Sequence, residues 1–152
     1  MNKKVLLELI WWVFTAVVVI GVLLPIYTNV EGYPFYFINI VYVVTFITLT
    51  RYIFLLRYTF LAKRERIKLI LFFLSIPFVF YLGQELNHFQ TFLDEEGLNA
   101  VTGFLPLSSG TGMIQYIQNE ILLFGVGSII CAVVFPFRLM VSIWRFRNKG
   151  TV

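Results

Sequence analysis

The sequence predicts an all-α integral membrane protein with four transmembrane helices, both ends in the cytoplasm and an extended outer segment between the third and fourth helices. Three observations carry this. The 152 residues are 59% hydrophobic and only 13% charged, where soluble domains carry about 25% charged residues. Four apolar segments recur, at approximately residues 5–24, 35–56, 67–85 and 120–138. Finally, the connections between them alternate in charge, one basic and its neighbours acidic. With 17 Phe among the apolar residues, a water-soluble fold of this length has no interior large enough to hide them, and one membrane domain is the expected organisation.

The first segment, Val5–Leu24, matches the roughly 20 residues that cross a hydrocarbon core. It exceeds the ~7–15-residue core of a signal peptide, and the bulky Leu24, Pro25 and Ile26 stand where a small-residue cleavage site belongs. It therefore reads as a retained anchor ended by Pro25. The second segment starts after Pro34 and is long enough to span. The third, centred on Leu69–Gly83, is short. It spans if Lys68 snorkels, with its stem along lipid and its ammonium among head groups, and if Gln84 and Glu85 sit at the boundary. A re-entrant segment is the competing reading. The fourth, Ile121–Phe137, meets the lower limit.

Charge sets the orientation. With the N-terminus in the cytoplasm, Lys3 and Lys4, then Arg57, Lys63, Arg64, Arg66 and Lys68, then Arg145, Arg147 and Lys149 all fall inside, and Arg51 and Arg138 lie at inner helix ends, which accounts for all 12 Lys and Arg. Glu31, Glu85, Asp94, Glu95, Glu96 and Glu120 fall outside; only Glu8 and Glu65 stay with the cations. Lys and Arg in short loops are retained on the cytoplasmic side, so an even number of spans satisfies every basic residue. The pI near 9.3 then points to lipid head groups, met by Lys63, Arg64, Arg66 and Lys68, and not to nucleic acid.

The connections differ. The first, "IYTNVEGYP", is short and external, with Tyr27, Tyr33 and Tyr36 suited to the membrane interface, rings half buried and hydroxyls wet. The second, basic one is composed of helix-permitting residues. The third, an outer loop of approximately residues 86–119, is the least ordinary. Leu82, Leu86, Phe89 and Leu93 are spaced by 4, 3 and 4, an apolar helical stripe that carries the third helix past the bilayer or along its surface, with Gly97 as C-cap. Beyond it, "LNAVTGFLPL" is apolar but interrupted, "SSGTG" reads as a flexible turn, and "MIQYIQNE" leads into the fourth span. Such a loop dips into the interface, folds over its own helix ends, or meets a partner through Phe89, Leu93 and Phe104.

Chemical equipment is sparse. Glu85 and His88 form an i, i+3 pair of the kind used by carboxylate-bridged metal bundles. His88 is the only histidine, so the pair reads as an exposed polar pair at a helix end, and no metal or cofactor is expected. Asp94–Glu96 lacks the spacing of a calcium loop. Glu8 and Arg51 both lie near the cytoplasmic boundary and form a possible ion pair between antiparallel neighbours. Gly127 with Cys131 and Ser128 with Ala132 are small-xxx-small spacings that let helices approach closely, either within the chain or against another chain. The single cysteine excludes a disulfide within the chain. No phosphate-binding loop, zinc-protease or hydrolase motif is present.

These features give the expectation of an accessory or structural subunit of a larger membrane complex, not an enzyme, acting through helix–helix and outer-loop contacts with lipids and other integral membrane chains. The alternatives are a small homo-oligomeric transporter or channel, and an enzyme acting on lipid through Glu85, His88 or the acidic triplet. The bacterial inner membrane is the expected location.

Overall fold

The computed structural model describes residues 3–103 and 105–150. It is helical throughout, with no strand among the described residues. Four helices are long and apolar enough to cross a membrane.

Helix α1 runs Lys3–Asn29, with Pro25 inside it. The sequence placed the helix end at this proline, because a mid-helix proline removes one backbone bond and costs about 3 kcal/mol or more. The helix continues because the next turn is packed: Ile26 and Val30 are both buried in the core. Side chains secure the end, with the Asn29 amide donating to the Pro25 carbonyl at 2.8 Å and the Thr28 hydroxyl to Leu24 at 3.0 Å.

Helix α2 is Tyr36–Leu55. The basic connection that follows is compact and not an extension of α2; two short 3₁₀ turns, Leu56–Tyr58 and Phe60–Lys63, fold it against the bundle. Leu56, Leu61 and Ala62 are buried there, which explains why a helix-permitting sequence leaves the helix.

Helix α3 spans Glu65–Glu95, 31 residues. At 1.5 Å per residue it is about 46 Å long, more than a ~30 Å hydrocarbon core requires. The short apolar run is thus embedded in a much longer rod. Gly97, at φ +71, lies in the left-handed region, and its N–H and that of Glu96 both donate to Phe92.

The segment read as an outer loop is mostly helix. After the single turn α4, Asn99–Thr102, helix α5 occupies Leu107–Ile121. The "SSGTG" stretch lies inside it and is no flexible turn. Pro106 starts the helix, and Gly110 is tucked against the Thr102 carbonyl and Leu105. Packing there overrides the poor helix propensity of Gly and Ser. A π-turn, Leu122–Val126, joins α5 to α6, Gly127–Lys149. The fourth rod therefore runs far beyond residues 120–138, as a 42-residue helix from Ser108 to Lys149.

In the bundle α6 packs chiefly on α3 and α2, and α1 packs on α2. The start of α1, the end of α2, the start of α3 and the end of α6 meet at one end, which carries the cations. At the opposite end α5 and the extension of α3 close over the α1–α2 connection. Tyr33 and Phe35 are buried there, and Phe35 meets Phe89 and Phe92, each at 5.1 Å between ring centres. The apolar outer segment covers its own helix ends.

Candidate functional site

Among the described residues, polar side chains cluster in the interior at each end of the bundle. They are recruited from helices far apart in sequence.

At the basic end, Arg51 of α2 reaches Glu8 of α1, Nη1 to Oε2 at 2.8 Å, with 5% and 17% of the two side chains exposed. The other carboxylate oxygen of Glu8 accepts the Phe60 N–H at 3.1 Å. One acid thus ties α1, α2 and the basic connection together. The Nε and Nη2 of Arg51 are buried without an acceptor; the rings of Trp11 and Tyr52 lie 5.5 Å from its guanidinium carbon, an arrangement that attracts a cation to the ring face.

Lys68 departs from the expected snorkelling. Its side chain is fully buried, and Nζ donates to the Ala62 carbonyl at 2.6 Å and to the Ser142 hydroxyl at 2.8 Å. Helix α3 turns this residue toward α6, not toward lipid, and the compact connection supplies the carbonyl. Lys63, Arg64 and Arg66 are exposed. Arg64 lies over the Phe60 ring at 4.8 Å, and Glu65 pairs with Arg147 at 3.0 Å.

At the opposite end the Asn39 amide of α2 donates to Glu120 Oε2 of α5 at 2.7 Å, and both side chains are buried. Tyr33, from the α1–α2 connection, is buried beside them. Burial pushes its hydroxyl well above the usual tyrosine range, with the Glu120 charge adding to the effect and the Asn39 amide opposing it. The hydroxyl of Tyr33, Oδ1 of Asn39 and Oε1 of Glu120 have no hydrogen-bond partner. Buried polar atoms are nearly always paired, so three orphans in one place call for an explanation.

Sequence reasoning missed this node. It placed Glu120 at the outer boundary and gave Tyr33 a wet hydroxyl. Tyr27 alone of the three tyrosines is strongly exposed, at 74%, while the Tyr36 hydroxyl donates to Val30 at 3.2 Å. A signal was available: Glu120 immediately precedes a long apolar run, where a carboxylate is costly unless it faces the bundle.

The small residues of α6 pack within the chain. A Cβ on Gly127 would lie 2.8 Å from the Phe46 ring, Cys131 Sγ is 3.3 Å from Thr50 Oγ1, and Ser128 and Ala132 are buried. Phe89 and Leu93 also pack internally, in the cluster around Phe35. Phe104 lies outside the described residues. Glu85 is half-buried, and His88 is exposed, its ring 5.6 Å from that of Phe35. No group of three or more His, Cys, Asp or Glu suited to a metal forms among the described residues.

The surface carries apolar grooves along the helices. One of about 470 Å³ lies between α2 and α3 over α6, lined by Leu49, Leu74, Phe78 and Phe135. Another of about 380 Å³ lies between α1 and α2, lined by Phe14, Phe46 and Phe54. The fold is that of an all-helical protein with four membrane-length apolar helices. Compared with protein-family models, with curated proteins and with solved structures, the chain matches none of them.

Proposed function

We propose that the chain is a multi-pass protein of a bacterial inner membrane, with both of its ends cytoplasmic, serving as an accessory or structural subunit of a larger membrane complex. The orientation is supported by the segregation of charge: the helix ends that meet around Glu8, Arg51, Lys68, Arg138 and Arg147 carry the basic residues, and short basic segments stay in the cytoplasm.

The subunit reading rests on how polar groups are spent. Buried and half-buried polar side chains join helices of this same chain: Arg51 to Glu8, Lys68 to Ser142, Tyr42 to the Leu82 carbonyl, Tyr116 to the Val22 carbonyl and Arg138 to the Ile53 carbonyl. Along the membrane-length helices, what remains for the surroundings is apolar. Helix α1 is the extreme case. It leans on α2 and leaves Trp12, Val17 and Ile20 more than half exposed. Such a helix presents one flank to its own bundle and the rest to lipid or to another chain.

The mass and composition of the native particle in mild detergent test this. The expected result is a particle containing unrelated membrane chains in fixed ratio, with the ratio lost on Val17→Trp or Ile20→Trp while the chain itself accumulates normally. A monomer, or a homo-oligomer of this chain alone, overturns the reading, the latter in favour of a pore.

A further inference from the structure

The polar node at the acidic end has a chemistry of its own. Asn39 Nδ2 donates to Glu120 Oε2, which leaves Asn39 Oδ1 and Glu120 Oε1, both buried and both without a donor. An amide oxygen and an ionised carboxylate oxygen are acceptors only. A protonated carboxyl gains one O–H donor. The Tyr33 hydroxyl beside them can donate to one of these acceptors, and one added proton supplies the other donor, so that an acid and an amide exchange two hydrogen bonds in place of one.

The surroundings offer no other neutralising group. The titratable and polar side chains facing Glu120 are Tyr33 from the α1–α2 connection, Asn39 from α2 and Tyr116 one turn earlier on α5. The Tyr116 hydroxyl is already committed to the Val22 carbonyl of α1 at 2.7 Å. Helix α3 brings Glu85 and His88 to this end, and neither ion-pairs with Glu120; among the described residues the ion pairs are Glu8–Arg51 and Glu65–Arg147. Among the described residues, the Lys and Arg side chains gather at the far end of the bundle, around Arg51, Lys68 and Arg147. A buried charge without a partner is costly enough that the group neutralises instead. The backbone is also unusual here, because the π-turn Leu122–Val126 begins two residues after Glu120, and such turns often mark functional positions.

We propose that Glu120 is a proton-binding site, holding its proton as a neutral carboxylic acid against the Asn39 amide, with the buried Tyr33 hydroxyl beside them. The bound proton locks α2 to α5. Its loss leaves an unpaired buried carboxylate and opens this end of the bundle. The site stands independently of the subunit reading above.

Infrared difference spectroscopy of protein carrying isotope-labelled glutamate, reconstituted in lipid, tests the site. The expected result at neutral pH is a protonated-carboxyl C=O band in the wild type that Glu120→Gln removes. Glutamine reproduces the proposed pairing, one donor and one acceptor, so Glu120→Gln should also accumulate and unfold at the wild-type temperature, whereas Glu120→Ala should unfold earlier. A wild type lacking the band overturns the proposal, as does a band that persists in Glu120→Gln or a Glu120→Gln protein that fails to accumulate. If the band is absent and unfolding shifts upward with sodium chloride but not choline chloride, the same oxygens hold a metal cation and the proton assignment is wrong.

Discussion

Arg51 and Glu8, 43 positions apart, meet through Nη1 and Oε2 at 2.8 Å in a site almost closed to solvent. The pair fixes the entry of α1 to the exit of α2. Because Glu8 also accepts the Phe60 N–H, it fixes the basic connection too. Breaking one partner of a buried pair costs ~3–5 kcal/mol, while replacing both by apolar groups is often tolerated. Glu8→Ala should therefore lower the thermal unfolding temperature markedly, and Glu8→Ala with Arg51→Leu should recover part of the loss. Unfolding followed in detergent for the two singles and the double checks this; strictly additive losses would refute the coupling.

Lys68 holds Ala62 and Ser142 with one ammonium group. Truncation leaves a buried carbonyl and a buried hydroxyl without their donor, at about 1–3 kcal/mol for each unsatisfied group. Lys68→Ala should lower stability and expose the Phe60–Arg64 stretch to protease, whereas Lys63→Ala, at an exposed position, should leave both unchanged. Limited proteolysis of the two variants side by side is the measurement.

Gly127 is a point of close approach between α6 and α2. A Cβ there would sit 2.8 Å from a Phe46 ring carbon, and overpacking a tight contact costs roughly 1–3 kcal/mol. Gly127→Leu should destabilise the bundle by about that amount. Gly112 has open space where a Cβ would sit, so Gly112→Ala should stabilise α5 by ~0.5–1 kcal/mol. Opposite shifts in unfolding temperature are expected from these two changes.

Tyr33 gives the fold a dependence on alkaline pH. Burial raises its hydroxyl above the ordinary value, which is about 10 in the unfolded chain. A group raised on folding contributes stability that is fully present below its unfolded value and lost as pH rises through the folded one. Stability should therefore fall as pH climbs past about 10. Tyr33→Phe, which also removes an orphaned hydroxyl, should flatten that decline. Unfolding curves at neutral and alkaline pH for both proteins decide the point.

The proposed orientation is open to labelling. In a Cys131→Ser background, an impermeant thiol reagent added to intact cells should modify Glu95→Cys and leave Lys63→Cys untouched. The reverse pattern would invert the topology.

Composition and charge order by themselves determined that this chain has four membrane-length helices with cations and acids segregated along the sequence, because those properties depend on local apolar length and on charge position. The stripe Leu82–Leu93 and the turn at Gly97 were legible for the same reason: 3.6-residue periodicity and a left-handed glycine are local. Other features were decided only when the helices met. Pro25 does not end α1, since Ile26 and Val30 have a core to enter. "SSGTG" is helix, since Gly110 is buried against Thr102 and Leu105. Lys68 faces Ser142, 74 residues away, and Glu120 faces Asn39, 81 residues away. A sequence pattern shows which face of a helix is apolar. Which polar group lies across from a buried charge depends on crossing and rotation of helices, and these are set by side-chain packing over the whole bundle.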